Sequence, residues 1–183
     1  NVGINRVRGA AAFFLVKCYV QKQYKEEIFG ALETCKDASL STKGAIIFQQ
    51  AFLSNLDTKR NLELYLSLTK NMEIPLLRIQ LSNAHPLLYF INTDFDRLRK
   101  DFFPEALKVT EAHHVFSVLL WIAWVRNLNG AKDLLFDLLD GSNYAVESLI
   151  NYFDKNSVKE YSKYIMPVVL RYVDSEDEKV GAQ

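Results

Sequence analysis

Apolar positions along the chain recur every three or four residues, the interval that lines them up on one face of an α-helix. No stretch shows the alternation of a strand. A first helix is predicted over Ile4 to Gln21, opening on the small residues Gly9, Ala10 and Ala12 before Phe13, Leu15 and Val16. Small side chains let a neighbouring helix come close, and the larger ones supply the surface to be buried. Tyr24 to Cys35 follows, with Ile28, Phe29 and Leu32 opposite Lys25 and Glu26, then Thr42 to Leu53, then a helix capped by Asp57 or Thr58 and running to Lys70. Pro75 and Pro86 restrict the middle to short helices near Pro75 to Leu81 and Pro86 to Ile91. Thr93 is placed to cap Asp94 to Val109, which Pro104 must kink or divide. Glu111 to Asn127 is apolar nearly all round, through Val115, Leu119, Trp121 and Ile122, and belongs at the centre of its surroundings. Beyond Gly130, three more helices are predicted over Ala131 to Leu139, Asn143 to Phe153 and Ser157 to Val173.

A phrase repeats inside this pattern. Asp37 to Ala45 and Asp174 to Ala182 share Asp, Gly and Ala at one spacing, and Val7-Arg8-Gly9-Ala10 matches the second half. An acidic residue in a turn can accept from helix-start amides, and Gly-Ala lets the next helix pack closely. Arg8, Gly9, Asp37, Gly44, Asp174 and Gly181 are therefore expected to be structural residues of repeat turns. Short helices joined by short turns lead to one expectation of fold. It is an all-α right-handed α-α superhelix, a HEAT/ARM-like solenoid of about four to five helical pairs. The span 1–183 is expected to be a single fragment of a longer protein, with repeats continuing past both ends.

The phrase Asn5-Arg6-Val7-Arg8-Gly9-Ala10-Ala11, the Asp-x6-Gly-Ala turns, and the segment from Leu87-Leu88-Tyr89-Phe90 to Leu98-x4-Phe103 resemble HEAT-like repeats. More narrowly, their order is similar to the C-terminal repeat region of large bacterial STAND NTPases, antiviral (Avs-type) members included. The match departs from that pattern where Lys43 and Val180 stand in place of the turn arginine. The resemblance implies a sensor that binds a protein partner and so regulates an ATPase, with oligomerisation through the rest of the parent chain. No P-loop of the Gly-x4-Gly-Lys-Ser/Thr form occurs here, so the nucleotide chemistry would lie elsewhere in that parent.

Composition narrows the function classes. Twenty-two basic side chains balance 22 acidic ones, which removes the global positive field of a nonspecific nucleic-acid binder. The apolar run from Val115 stops at Arg126, short of the roughly 18 residues that span a bilayer. Cys18 and Cys35 are expected to be free thiols in a reducing, cytoplasmic setting.

Candidate chemistry is sparse. His113 and His114 follow Glu111, but adjacent helical residues point about 100° apart and cannot share one metal. His85, before Pro86, reads as a turn residue. Asp94, Asp96 and Asp101 among Arg97, Arg99 and Lys100 read as a solvated helix face. Trp121, Trp124 and Phe116 read as core before pocket. Arg6, Arg8, Lys17, Lys22 and Lys25 form the densest basic cluster, followed at once by Glu26 and Glu27. The expected module is thus non-catalytic, with no cofactor or metal and a protein as partner. A plain scaffold is the alternative, and a nucleic-acid-binding helical repeat comparable to the helical-repeat DNA glycosylases ranks behind both.

Overall fold

A computed structural model describes residues 9–12, 14, 22–70, 76, 85–156 and 161–172. All the regular secondary structure among them is helical, as the apolar spacing demands. None of the described helices is long and apolar enough to cross a membrane. Contacts gather the chain into two compact units, Asn1–Ala112 and His113–Gln183.

In the first unit a 3-10 turn, Lys22–Tyr24, leads into α1, Lys25–Glu33, which buries the predicted face of Ile28, Phe29 and Leu32. The single helix expected over Thr42 to Leu53 is two helices, α2 (Leu40–Phe48) and α3 (Gln50–Leu56), broken at Gln49. α4 spans Thr58–Thr69 and is capped by Asp57, whose carboxylate accepts from the Arg60 amide at 3.0 Å. α4 packs on α1, α3 and α5, so its buried stripe of Leu62, Tyr65 and Leu68 is the centre of this core.

The proline-bounded middle also differs from expectation in its joints. One helical run, α5 (His85–Asp101), carries an extended residue at Asp94 (φ −160°, ψ 81°) that divides it. Asp94, not Thr93, caps the second half, accepting from the Arg97 amide at 2.9 Å. The Thr93 hydroxyl instead donates back to the Tyr89 carbonyl at 2.8 Å. Pro104 divides the next stretch as its chemistry requires. It sits in the first turn of the short helix α6, Phe103–Ala106, where an amide has no partner to lose.

The second unit is built on α7, His113–Val125. Its end is fixed by Asn127 at φ 58°, with the Leu128 amide donating to Ala123 O at 3.1 Å and the Asn127 amide to Trp124 O at 2.8 Å. That pair of bonds satisfies the last carbonyls and turns the chain sharply. Gly130 at φ 74°, a left-handed conformation natural to glycine, then opens α8, Ala131–Asp140. Ser142 accepts from the Ala145 amide at 3.2 Å to start α9, Asn143–Asn156. Last comes α10, Ser162–Tyr172, with Pro167 inside it.

The near-circumferential apolarity of α7 is explained by its place in this unit, where it packs on both α8 and α9. His114 meets Tyr144 and Trp121 meets Phe153, so contacts advance together and α7 and α9 run parallel. α8 meets α10 through Phe136, Asp140, Arg171 and Tyr172. The unit is therefore two helical hairpins, α7–α8 and α9–α10, laid side by side.

Candidate functional site

Of the repeat-turn residues, Asp37 lines a cleft beside α2, and Gly9 and Gly44 lie close to it in the chain's packing or sequence. Gly9 is helical and lies against the first turn of α2, where a Cβ added to it would sit 3.7 Å from the Ser41 carbonyl oxygen. Gly44 is buried within α2, and Asp37 is exposed in the turn before it. Arg8, Asp174 and Gly181 lie outside the described residues. Ser39, rather than Asp37, occupies the position before α2, its hydroxyl 3.0 Å from Ser41 Oγ and 3.3 Å from Thr42 Oγ1. Between these pieces is a cleft of about 470 Å³ whose lining includes Ala12, Thr34, Cys35, Asp37 and Thr42. Cys35 is a half-buried free thiol with its Sγ 3.8 Å from the Ala31 carbonyl; Cys18 falls outside the described residues. The described lining offers a thiol, a carboxylate and hydroxyls, and no histidine or lysine is among the described lining residues.

Charge concentrates along α1, in a form that spacing within single helices did not disclose. Arg60 on α4 grips Glu33 through two bonds, Nε to Oε1 at 2.7 Å and Nη2 to Oε2 at 3.2 Å, and reaches Glu26 at 2.6 Å. Its guanidinium lies 4.9 Å from the Phe29 ring centroid. The bond from Arg60 holds the Glu33 carboxyl below the usual range, and the two carboxylates push the guanidinium pKa up in turn. Asp57 is held low by the Arg60 amide first and by Lys25 Nζ, 2.6 Å away, second. The one sequence signal was Glu26 and Glu33, seven apart and so on one face of α1. Their partner, 27 and 34 residues on, was set by tertiary packing.

Under α4 runs a buried polar seam. Asn61 Nδ2 donates to Gln50 O and Ser54 Oγ, each at 2.9 Å. The side-chain amide of Gln50, Asn61 Oδ1 and the Tyr65 hydroxyl are buried without hydrogen-bond partners among the described residues. Burial alone drives the Tyr65 pKa well up.

The remaining candidates take up structural work. Arg97 pairs with Asp101 and with Glu63 at 3.3 Å, and Arg99 with Asp96 at 3.1 Å, the solvated-face arrangement expected of this cluster. His85 begins α5. His113 is buried and His114 half-buried against Tyr144, their ring centroids 5.5 Å apart for the latter pair. No group of three or more metal-ligating side chains occurs among the described residues. Trp121 and Phe116 are core, with Trp121 packed on Tyr152, Phe153 and Tyr161; Trp124 is half-buried at the surface.

No protein-family model, curated protein or solved structure matches the chain.

Proposed function

We propose that this chain is a helical-repeat module that binds a protein partner, built as an α-solenoid of helical pairs and carrying no catalysis of its own. The observation that carries the reading is the pairing in the second unit, where hairpin α7–α8 lies beside hairpin α9–α10 and helices two apart in sequence touch. Stacked hairpins of this kind bury one face of each helix and leave the other to a partner. Large apolar side chains stand exposed: Phe48, at the end of α2, is 51% and Phe52, on α3, 39% exposed; on α10 Met166 is 48% and Leu170 57% exposed, four residues apart on one helix. Apolar pairs at helical spacing suit a helix or loop of another protein.

The resemblance to STAND NTPase repeats supplies the wider setting, a cytoplasmic sensor whose partner's binding energy shifts an attached ATPase toward its active state. Against a nucleic-acid role, Lys25, Arg60, Arg97, Arg99, Lys108 and Arg171 all engage carboxylates, which interrupts a positive stripe among the described residues.

Photo-cross-linking tests the reading. A benzophenone side chain placed at Phe48, Phe52, Met166 or Leu170 in cells should trap one discrete protein partner, with little product when placed at the exposed polar positions Lys59 or Glu147. Uniform labelling from all six positions, or salt-sensitive binding of duplex DNA by the chain, would refute it.

A further inference from the structure

Where α8 meets α10, the second unit arrays cations over aromatic rings. Lys132 Nζ lies 5.7 Å from the Trp124 centroid and 5.9 Å from that of Phe136. Lys163 Nζ stands 4.7 Å over Tyr164, and the Arg171 guanidinium 5.1 Å over Phe136. The rings are joined beneath them, Trp124 to Phe136 at 5.7 Å and Trp124 to Tyr164 at 5.2 Å.

The two ends of this surface differ in charge. At one, Asp140 accepts from Arg171 at 2.6 Å and from the Tyr172 hydroxyl, so the guanidinium is already neutralised. At the other, Lys132 and Lys163 face rings, and neither ammonium has a carboxylate within ion-pair distance among the described residues. A ring attracts an ammonium without cancelling its charge, so both lysines keep their capacity for an incoming anion.

We propose that this surface docks an acidic peptide segment, its carboxylates on Lys132 and Lys163 and an aliphatic or aromatic side chain against Trp124 and Phe136. The proposal rests on the protein-binding reading and names the partner's chemistry. From Lys132 to Asp140 the helix rises about 12 Å, which matches about four residues of extended peptide. The recognised motif is therefore short, acidic at the Trp124 end and apolar toward Asp140. A nucleic-acid strand fits less well. Asp133, Asp137 and Asp140 are all exposed along α8, and a charge at every phosphate must meet them, whereas a peptide can place its carboxylates away from them.

The test is fluorescence anisotropy on the whole chain with a labelled synthetic peptide of Glu, Leu and Phe. Saturable binding should weaken with salt and fall about tenfold or more in K132E/K163E. A peptide with Lys in place of Glu should bind that variant in preference to the original. K132M/K163M, which keeps the apolar stems, should also bind less of the acidic peptide, while K59E/K100E in the first unit should bind as before. All four lysines are exposed, and circular dichroism checks that each variant is folded. Absence of binding, binding indifferent to K132E/K163E, or preference for an oligothymidylate of equal charge overturns the proposal. Cross-links at Phe48 and Phe52 that survive such a result leave the protein-binding module standing without this site; their disappearance as well removes both.

Discussion

Asp57 does two jobs at the head of α4, accepting from the Arg60 amide and pairing with Lys25. Its carboxyl is held below the ordinary value, so the stabilisation it brings is complete above the usual carboxylate range and is lost as pH falls through the depressed pKa. Asp57→Ala should cost about 1 kcal/mol at neutral pH. The gap between variant and wild type in urea unfolding should close in acid, where both lack the carboxylate. A gap that stays constant with pH would mean the loss comes from packing. Tyr65 is the opposite case, a fully buried hydroxyl with no hydrogen-bond partner among the described residues. Tyr65→Phe keeps the contacts with Phe90 and Phe102 and removes a desolvated polar atom, so stability should hold or rise by up to about 1 kcal/mol. A lower thermal midpoint would show that the hydroxyl is satisfied. The cap of α4 was legible from sequence as Asp57 or Thr58, because an N-cap is a local rule, and the structure settles it on Asp57. The Tyr65 environment was not, because it depends on Phe90 and Phe102, which are distant in the chain.

At the scale of elements, the joints follow local chemistry and the pairings do not. Pro104 starts α6 and Gly130 precedes α8, both where backbone geometry requires, yet the break at Gln49 has no proline or glycine to announce it. α7 shows the consequence of being covered on several sides. Leu120 is completely buried in it, and Leu120→Ala should cost about 2–5 kcal/mol through lost contacts and the cavity left behind. Both tryptophans of the chain lie on α7, so their fluorescence reports this unit directly. The thermal transition seen by tryptophan emission should move down sharply in Leu120→Ala; an unchanged transition would mean that α7 is not the organising helix.

Taken whole, the molecule balances its charges, and several of them tie its helices together. Arg60 links α1 to α4, Arg97 links α5 to α4, and Arg171 links α10 to α8, each pairing distant segments within one unit. Such half-exposed pairs add little stability singly, but they fix which helix faces lie together. What they leave uncommitted is informative: the exposed apolar pair Met166 and Leu170, and Lys132 and Lys163 above aromatic rings. Both are features of the kind a protein partner uses, and cross-links at Phe48 and Phe52 test the module apart from them.

The sequence by itself determined that the described chain is helical, roughly where α1, α4, α7, α8 and α9 begin and end, and that Pro104 and Gly130 interrupt the helices. Periodicity, caps and breakers act within a few residues, so they are readable along the chain. Only the tertiary structure decided that Gly9 meets the start of α2, that Arg60 gathers Glu26 and Glu33, and that Lys132, Lys163 and Arg171 share one aromatic surface. These contacts bring together residues separated by up to dozens of positions. Their identity depends on which faces pack, and no local rule specifies that.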